Sequence, residues 1–322
     1  MRVVRVFGIY CALSVLLYFA LRNAPLLEIW RTLGHLRLPQ IGVILLVNAV
    51  VIASISLRWW IIVRADNPNV PFLPLVGYRL SVFALSYFTP GPQVGGEPLQ
   101  VYYLERHHRV SLARATSAVI MDKLLEFLAN FILIGLGLAA SIRVGLLPRY
   151  GAQATGALIP LAVVLAWPVV HLILLYHHRH PITRLLQGAV PIIGNPRWAR
   201  LIILAERMAA TFMRRRLLWL TGAFTFSVIA WAGMAVEYFL MASFLTAHLT
   251  AEQTLAALTA ALLAFLVPLP GGLGALEASQ VFALGAFGQP ASVAISITLL
   301  MRGRDLVNGG LGLLLAGRRA VK

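Results

Sequence analysis

Long apolar runs are the feature that most constrains how this chain can fold. They recur along all 322 residues, and each is long enough to cross a bilayer, since about 20 helical residues span the roughly 30 Å hydrocarbon core. The chain is 60% hydrophobic and 12% charged, which leaves too little polar surface to cover a water-soluble globule of this size. The sequence therefore predicts an all-α polytopic membrane protein.

The apolar runs predict six full transmembrane helices, at 3–21, 40–63, 111–140, 153–177, 217–246 and 289–316. Two further apolar segments, 74–89 and 252–268, are shorter, and each runs into a Pro-Gly turn followed by a second short helical stretch. We expect these two segments to be broken helices. Residues 22–38 and 178–216 alternate apolar and basic side chains at helical spacing, which is typical of helices that lie in the membrane interface.

The arginines of residues 178–216 determine the predicted topology. Eight arginines stand there against one acid, Glu206, so the positive-inside rule places this stretch in the cytoplasm. With Arg2 and Arg5 also inside, each broken helix must then be re-entrant, entering and leaving the membrane by one face. Both termini are cytoplasmic in this arrangement. Two complete crossings would instead put 178–216 outside, whereas re-entrant helices leave the three arginines of 22–38 facing outward.

The two Pro-Gly turns belong to a sequence repeat. An offset of 180 residues superposes identical residues, namely Pro90 on Pro270, Gly91 on Gly271 and Glu97 on Glu277. Each unit is predicted to hold a span, a re-entrant broken helix and a second span, with opposite orientations, so we expect an inverted repeat.

Four divisions of the chain follow from this repeat. The first is an N-terminal transmembrane helix with an interfacial helix, and the second is repeat 1 with an extra helix. A cytoplasmic basic interfacial segment and repeat 2 complete the chain. Their predicted bounds are 1–38, 39–177, 178–216 and 217–322.

Paired helix breaks of this kind indicate a transporter site near the middle of the membrane. A helix that starts after a break exposes backbone N–H groups and a partial positive charge, which can hold an anion. Glycine lets a ligand or another backbone approach closely, and four glycines accompany the turns: Gly95, Gly96, Gly272 and Gly274. The alternative interpretation is a tight turn that only reverses a short helix pair.

Charged residues within or beside the predicted membrane segments are the candidate transport residues. A charge at the bilayer centre costs at least about 2.5 kcal/mol, so these side chains should face an internal cavity or one another. Those we expect to act in transport are Glu97, Glu277, Lys123 and Arg304. A second set of candidates consists of Asp122, Glu126, Arg302 and Asp305.

The second set also has a purely structural interpretation. Asp122 and Glu126 lie on one helix face, and Arg302 and Asp305 are three residues apart, so that they can neutralise each other. Arg304 is then less obviously paired. Under the alternative interpretation these residues form buried ion pairs that lock helices together.

Several classes of protein do not fit the sequence. The net charge of +16 suits anionic lipid headgroups rather than nucleic acid, because the arginines flank apolar runs without an aromatic-interleaved basic module. The adjacent histidines His107 and His108 would point apart on a helix, so no metal site is predicted. No cofactor is predicted either. No spacing of a nucleophile elbow or a catalytic triad occurs.

The turns and their flanking helices resemble the membrane region of the lysylphosphatidylglycerol synthases and flippases. The resemblance is carried by TPGPQVGGEPLQVYYL from Thr89, AVIMDKLLEF from Ala118, VPLPGGLGALEA from Val267 and LLMRGRDL from Leu299. It implies a stand-alone membrane domain, without the soluble aminoacyl-transferase domain. The chain departs from the family pattern, which often has basic residues in the first turn, by carrying Pro92, Gln93 and Gln100.

The resemblance implies a lipid translocase that moves a polar-headed, phosphate-containing phospholipid between leaflets of the cell (inner) membrane of a prokaryote. Membrane lipids are then the partners, and a homo-oligomer or a partner lipid-modifying enzyme stays open. The alternative is a membrane enzyme acting on a lipid-linked phosphate or sugar, with Glu97 or Glu277 as general acid or base. A scaffold for a partner enzyme is the third interpretation.

Overall fold

A computed structural model describes residues 31–34, 36–88, 95–147, 166–186, 196–267, 269 and 272–320, without the side chains of 196–198 and 317–320. The predicted span 3–21 lies outside these residues. Within them the chain forms helices and connecting turns, and no strand occurs there.

Ten helices longer than two turns occur in the described part of the chain. In chain order they are α1 (Leu38–Asp66), α2 (Phe72–Phe88), α3 (Glu97–His108), α4 (Leu112–Arg143), α5 (Ala166–Tyr176), α6 (Pro196–Arg215), α7 (Leu217–Phe244), α8 (Ala251–Ala264), α9 (Ala275–Ala286) and α10 (Ala291–Ala320).

Three of these helices are long and apolar enough to cross a membrane, namely α1, α4 and α7. They confirm the predicted spans 40–63, 111–140 and 217–246. Helix α10, a single helix of 30 residues, covers the predicted span 289–316 from Ala291 onward. Helix α5 lies within the predicted span 153–177. The protein is an all-α polytopic membrane protein.

Helices α2 and α3 form an antiparallel hairpin. Gly96 at the start of α3 packs against Val82 and Ser86, which lie towards the end of α2. At the other end, Tyr78 stacks on Tyr103 with ring centroids 4.4 Å apart. The start of α2 and the end of α3 therefore lie at the same end of the hairpin.

Helices α8 and α9 pair in the same way. A Cβ at Gly272, just before α9, would lie 3.1 Å from a ring carbon of Phe265 at the end of α8. Near the middle of both helices, the Gln280 side chain donates to the Ala257 carbonyl at 3.0 Å. Each shorter apolar segment is therefore followed by a second short helix, as the sequence predicts.

The long helices α1 and α7 also run antiparallel. Asp66 at the end of α1 lies 3.8 Å from Arg216 at the start of α7. Val51 contacts Gly233 near the middle of both helices, and Ile44 near the start of α1 shares an apolar cluster with Met241 near the end of α7.

The last helix of each half packs on the hairpin of the other half, α4 on α8 and α10 on α2. Glycine makes both approaches close. A Cβ at Gly137 of α4 would lie 1.7 Å from Thr259 Oγ1 of α8, and a Cβ at Gly312 of α10 would lie 2.1 Å from the Leu80 carbonyl oxygen of α2. The two halves of the chain are thus interlocked rather than adjacent.

Candidate functional site

Six charged side chains from four helices form what we call the first cluster. They are Arg58, Arg79, Glu97, Asp122, Lys123 and Glu126. Arg58 Nε donates to Asp122 Oδ1 at 2.7 Å and Arg58 Nη2 donates to Glu126 Oε2 at 2.6 Å. The Arg58 and Asp122 side chains are only 1% and 0% exposed. Three bases face three acids, so the cluster as a whole is neutral.

Arg79 of α2 completes the centre of the first cluster. Its Nη1 donates to Asp122 Oδ2 at 2.8 Å, and its Nη2 reaches Glu126 Oε2. Two arginine forks from different helices thus hold the two acids that α4 presents on one face. Such forks suit carboxylates because each can donate two hydrogen bonds at once.

Glu97 connects the first cluster to the start of α3. Its Oε2 accepts from the Gly95 backbone N–H at 2.7 Å, and its Oε1 lies 3.1 Å from Lys123 Nζ. Lys123 also donates to Glu126 at 2.9 Å. The carboxylate therefore occupies the electropositive helix start that an anion would otherwise bind.

Five charged side chains of the second half form the second cluster. They are Glu237, Glu277, Arg302, Arg304 and Asp305. Glu277 repeats the role of Glu97: its Oε2 accepts from the Gly274 backbone N–H at 2.9 Å, and Arg302 of the following helix binds it through Nε at 2.7 Å and Nη2 at 2.9 Å. This cluster holds three acids and two bases.

The pairing of Arg302 and Arg304 differs from the sequence prediction. Arg302 binds Glu277 rather than Asp305, and Arg304 binds Asp305 at 2.8 Å and Glu237 at 2.8 Å. The expectation that Arg304 is less obviously paired is therefore wrong. Spacing within α10 favoured a partner three residues away, but the carboxylate at the start of α9 meets the Arg302 fork across the helix interface.

Sequence reasoning missed Arg58 and Arg79 as site residues. Both are basic side chains inside segments that were predicted to lie in the membrane, and that position alone is a signal, because an unpaired charge there is costly. Their partners lie 43 to 68 residues away along the chain, so no local spacing indicates them.

The turn glycines have separate structural reasons. Gly96 must be small because a Cβ would lie 2.6 Å from a Val82 methyl. Gly272 and Gly274 have φ values of +64° and +80°, and Gly95 has +142°, which glycine adopts without the strain that other residues would meet. The predicted turn residues Pro90, Gly91, Pro270 and Gly271 lie outside the described residues.

The two clusters lie at different depths along α1. Arg58 of α1 belongs to the first cluster, whereas Asn48 of α1 accepts from Asn308, one turn beyond Arg304 on α10, at 2.9 Å. Ten residues of helix separate Asn48 from Arg58, a distance of about 15 Å. Charged clusters therefore occur at two levels of the bundle.

A basic groove lies at the end of α6, beside Asp66 at the end of α1. It has a volume of about 340 Å³ and is lined by Asp66, Arg207, Met208, Thr211, Phe212, Arg215 and Arg216. Leu217 and Leu218 follow it directly at the start of α7 and are 62% and 87% exposed. Within the described residues, no group of three or more side chains suited to binding a metal occurs.

Comparison with known proteins gives a family and two relatives. A family described as the lysylphosphatidylglycerol synthase TM region matches residues 3–312. A UPF0104 membrane protein of Pyrococcus horikoshii is 24% identical over 259 residues, which are 77% of each chain. Another, of Methanothermobacter thermautotrophicus, is 34% identical over 92 residues, and that match spans only 27% of each chain. No solved structure matches. Since the family match covers nearly the whole sequence, this chain belongs to the family of the lysylphosphatidylglycerol synthase TM region.

Proposed function

We propose that this protein is a lipid translocase that moves a phosphate-bearing, polar-headed lipid between membrane leaflets. The observation that carries the proposal is the pair of buried ion clusters at two depths of one bundle, each joined to the start of the helix that follows a break. Two such clusters offer a headgroup polar partners in succession, while its acyl chains remain in the lipid. The family description, which names a lipid product, supports the same class of substrate.

An inverted repeat of re-entrant hairpins is part of this proposal. Helices α1 to α4 and α7 to α10 follow the same order with nearly the same bounds after a shift of about 180 residues. The equivalent helices α1 and α7 run antiparallel, and each hairpin returns to the end at which it starts. An inverted repeat places equivalent sites on opposite sides of the membrane midplane, which fits the two depths of the clusters.

The headgroup phosphate would enter these clusters by exchange of partners. Both helix starts are already capped by a glutamate, and Lys123 and Arg302 are already paired. A phosphate can replace a carboxylate on either cation, since both are anions that accept charge-assisted hydrogen bonds. Glu97 and Glu277 would then act as internal anions that hold the site closed until a lipid phosphate displaces them.

The basic groove at the end of α6 is the proposed docking place for the headgroup before transport. Arg207, Arg215 and Arg216 supply positive charge, and the exposed Leu217 and Leu218 supply an apolar surface for an acyl chain. Basic residues attract anionic lipids by about 1 kcal/mol each near a membrane surface.

Reconstituted protein tests the proposal directly. Proteoliposomes would contain trace acyl-labelled phosphatidylglycerol, and dithionite would bleach the label in the outer leaflet alone. We expect faster equilibration between leaflets than in protein-free liposomes, with a loss of at least tenfold for Lys123→Gln or Arg302→Gln, because each of these removes a cation that would receive the phosphate.

The control is Arg143→Gln, which removes an exposed ion pair whose members are 73% and 48% exposed, and which should equilibrate lipid like the wild type. Equilibration no faster than in protein-free liposomes would exclude the translocase. A lipid species changed by the protein, detected by mass spectrometry of the same vesicles, would favour the membrane enzyme instead.

A further inference from the structure

The two halves carry an equivalent pair of glutamines whose hydrogen bonding differs. Gln100 and Gln280 are related by the same shift of 180 residues that relates Glu97 to Glu277, and each follows its glutamate by three residues. Both glutamines are completely buried. Residues three apart on a helix lie on one side of it, so each glutamine lies on the same side of its helix as the glutamate that joins an ion cluster.

Gln280 has partners for its amide. The Tyr238 hydroxyl donates to Gln280 Oε1, and Gln280 Nε2 donates to the Ala257 carbonyl at 3.0 Å. Helix α9 is thus tied to α7 and α8 by one side chain. A buried amide that is bonded in this way contributes to holding its helices in place.

Gln100 has no such partners. Neither its amide nitrogen nor its amide oxygen makes a hydrogen bond in the structure of the described residues. Burying an amide without partners is costly, because its bonds to water are lost without replacement. A buried polar side chain of this kind marks a place where something else, such as a ligand, can supply the missing bonds.

The position equivalent to Tyr238 explains why the Gln100 amide lacks the partner that Gln280 has. The shift of 180 residues relates Tyr238 to Arg58, and Arg58 is bound by Asp122 and Glu126 of α4. The side chain that could have met Gln100 is therefore held by acids of the first cluster. The second half has a hydrogen bond between α7 and α9 at this position. The first half has an amide without a partner among the described residues, three residues after Glu97 on α3.

We propose that Gln100 binds hydroxyl groups of the lipid headgroup, which makes the first half the one that selects the substrate. An amide offers both a donor and an acceptor, and a hydroxyl can pair with both. A phosphodiester only accepts, and a choline headgroup has no N–H or O–H to donate. The inference rests on the proposed translocase and adds the class of headgroup: a polyol beside the phosphate, which Lys123 and Arg79 would attract.

Matched variants separate a ligand role from a structural role. Gln100→Leu removes an amide without partners, so the melting temperature in detergent should stay the same or rise. Gln280→Leu leaves the Tyr238 hydroxyl without its acceptor and removes the bond from Gln280 Nε2 to the Ala257 carbonyl, so the melting temperature should fall. A merely structural Gln100 would lower the melting temperature on substitution, as Gln280 does.

Although Gln100→Leu should not lower the melting temperature, it should lower the rate of lipid transport. With acyl-labelled phosphatidylinositol, Gln100→Leu should lower the rate of equilibration about tenfold, which corresponds to about 1.4 kcal/mol. The rate for labelled phosphatidylcholine should not change. An unchanged ratio of the two rates in Gln100→Leu would overturn the proposal.

A binding measurement distinguishes failure of this inference from failure of the proposed function. Soluble dioctanoyl phosphatidylinositol should raise the melting temperature of the wild type and of Gln280→Leu but not of Gln100→Leu, even if the wild type moves no lipid. An equal rise in all three proteins would show that Gln100 does not contact the headgroup.

Discussion

In the two clusters, Asp122, Glu237 and Glu277 are held by arginines from other helices, whereas Asp305 is held by Arg304 of its own helix. Removing one member of a buried pair leaves an uncompensated charge, which costs about 3–5 kcal/mol. An exposed pair contributes about 0–1 kcal/mol. The two clusters should therefore dominate the response of the protein to charge substitutions.

Glu277→Gln is the first test of this expectation. Arg302 would lose the carboxylate whose two oxygens it now binds, so we expect the free energy of unfolding to fall by about 3 kcal/mol. Thermal unfolding in one detergent measures the change. Arg143→Gln, at the exposed pair with Glu252, is the control and should shift the melting temperature little; equal shifts would contradict the assignment.

Arg58→Lys tests whether geometry matters as well as charge. Arg58 reaches Asp122 through Nε and Glu126 through Nη2, and the single ammonium of lysine cannot reproduce this fork. We expect a clear loss of thermal stability, whereas Arg143→Lys at an exposed position should be close to neutral. A neutral Arg58→Lys would show that only the net charge of the first cluster is required.

The charged side chains could be found from the sequence, but their partners could not. Glu97, Asp122 and Arg304 are conspicuous because acids and bases are rare in apolar segments. Which base meets which acid depends on how helices pack, and spacing along one helix led to the wrong partner for Arg302. Periodicity describes the faces of a helix but not the neighbour that each face meets.

At the scale of the helices, close glycine contacts determine how the two halves interlock. Gly312 of α10 packs on the backbone of α2, and the Ser81 hydroxyl donates to the Gly312 carbonyl at 3.1 Å. Backbone atoms cannot move aside as a flexible side chain can, so this approach needs a residue without a Cβ.

Gly312→Ala should therefore destabilise the protein by about 1–3 kcal/mol, as overpacking does. Gly310→Ala on the same helix is the matched control, because a Cβ there meets nothing within 4 Å, and alanine favours a helix by about 1 kcal/mol over glycine. Melting temperatures of the two variants should move in opposite directions. A loss of stability in both would mean that helix α10 itself, rather than its contact with α2, is sensitive.

The basic groove of α6 gives a second prediction at this scale. Replacing Arg207 and Arg215 by glutamine should slow the equilibration of labelled anionic phosphatidylglycerol more than that of zwitterionic phosphatidylcholine, because the groove loses positive charge. Arg184→Gln is the control: it removes an exposed arginine of the same basic segment that does not line the groove. Equal slowing of both lipids would exclude a docking role for the groove.

Helix bounds were largely predictable, whereas helix pairing was not. The spans 40–63, 111–140 and 217–246 agree with α1, α4 and α7 because bilayer thickness fixes the length of an apolar run. The packing of α4 on α8 and of α10 on α2 depends on Gly137 and Gly312, and nothing in the local sequence distinguishes these glycines from Gly135 or Gly310, which face open space.

At the scale of the whole molecule, the antiparallel contacts connect the repeat to the topology. Val70, just before α2, and Val110, just after α3, belong to one apolar cluster together with Val63 near the end of α1. The first hairpin therefore starts and ends beside the same end of α1. The second hairpin should start and end at the opposite end of the bundle, because α7 is antiparallel to α1.

Cysteine labelling can test this topology, because Cys11 is the only cysteine of the sequence. In a Cys11→Ser background, single cysteines at Asn69 and Ser111 flank the first hairpin, and single cysteines at His248 and Gln289 flank the second. Re-entrant hairpins in an inverted repeat predict that a membrane-impermeant maleimide reaches the first pair from one side of oriented vesicles and the second pair from the other. If each hairpin instead crossed the membrane completely, the two members of each pair would react from opposite sides. That result would remove the inverted repeat and, with it, the argument that the two ion clusters serve opposite leaflets.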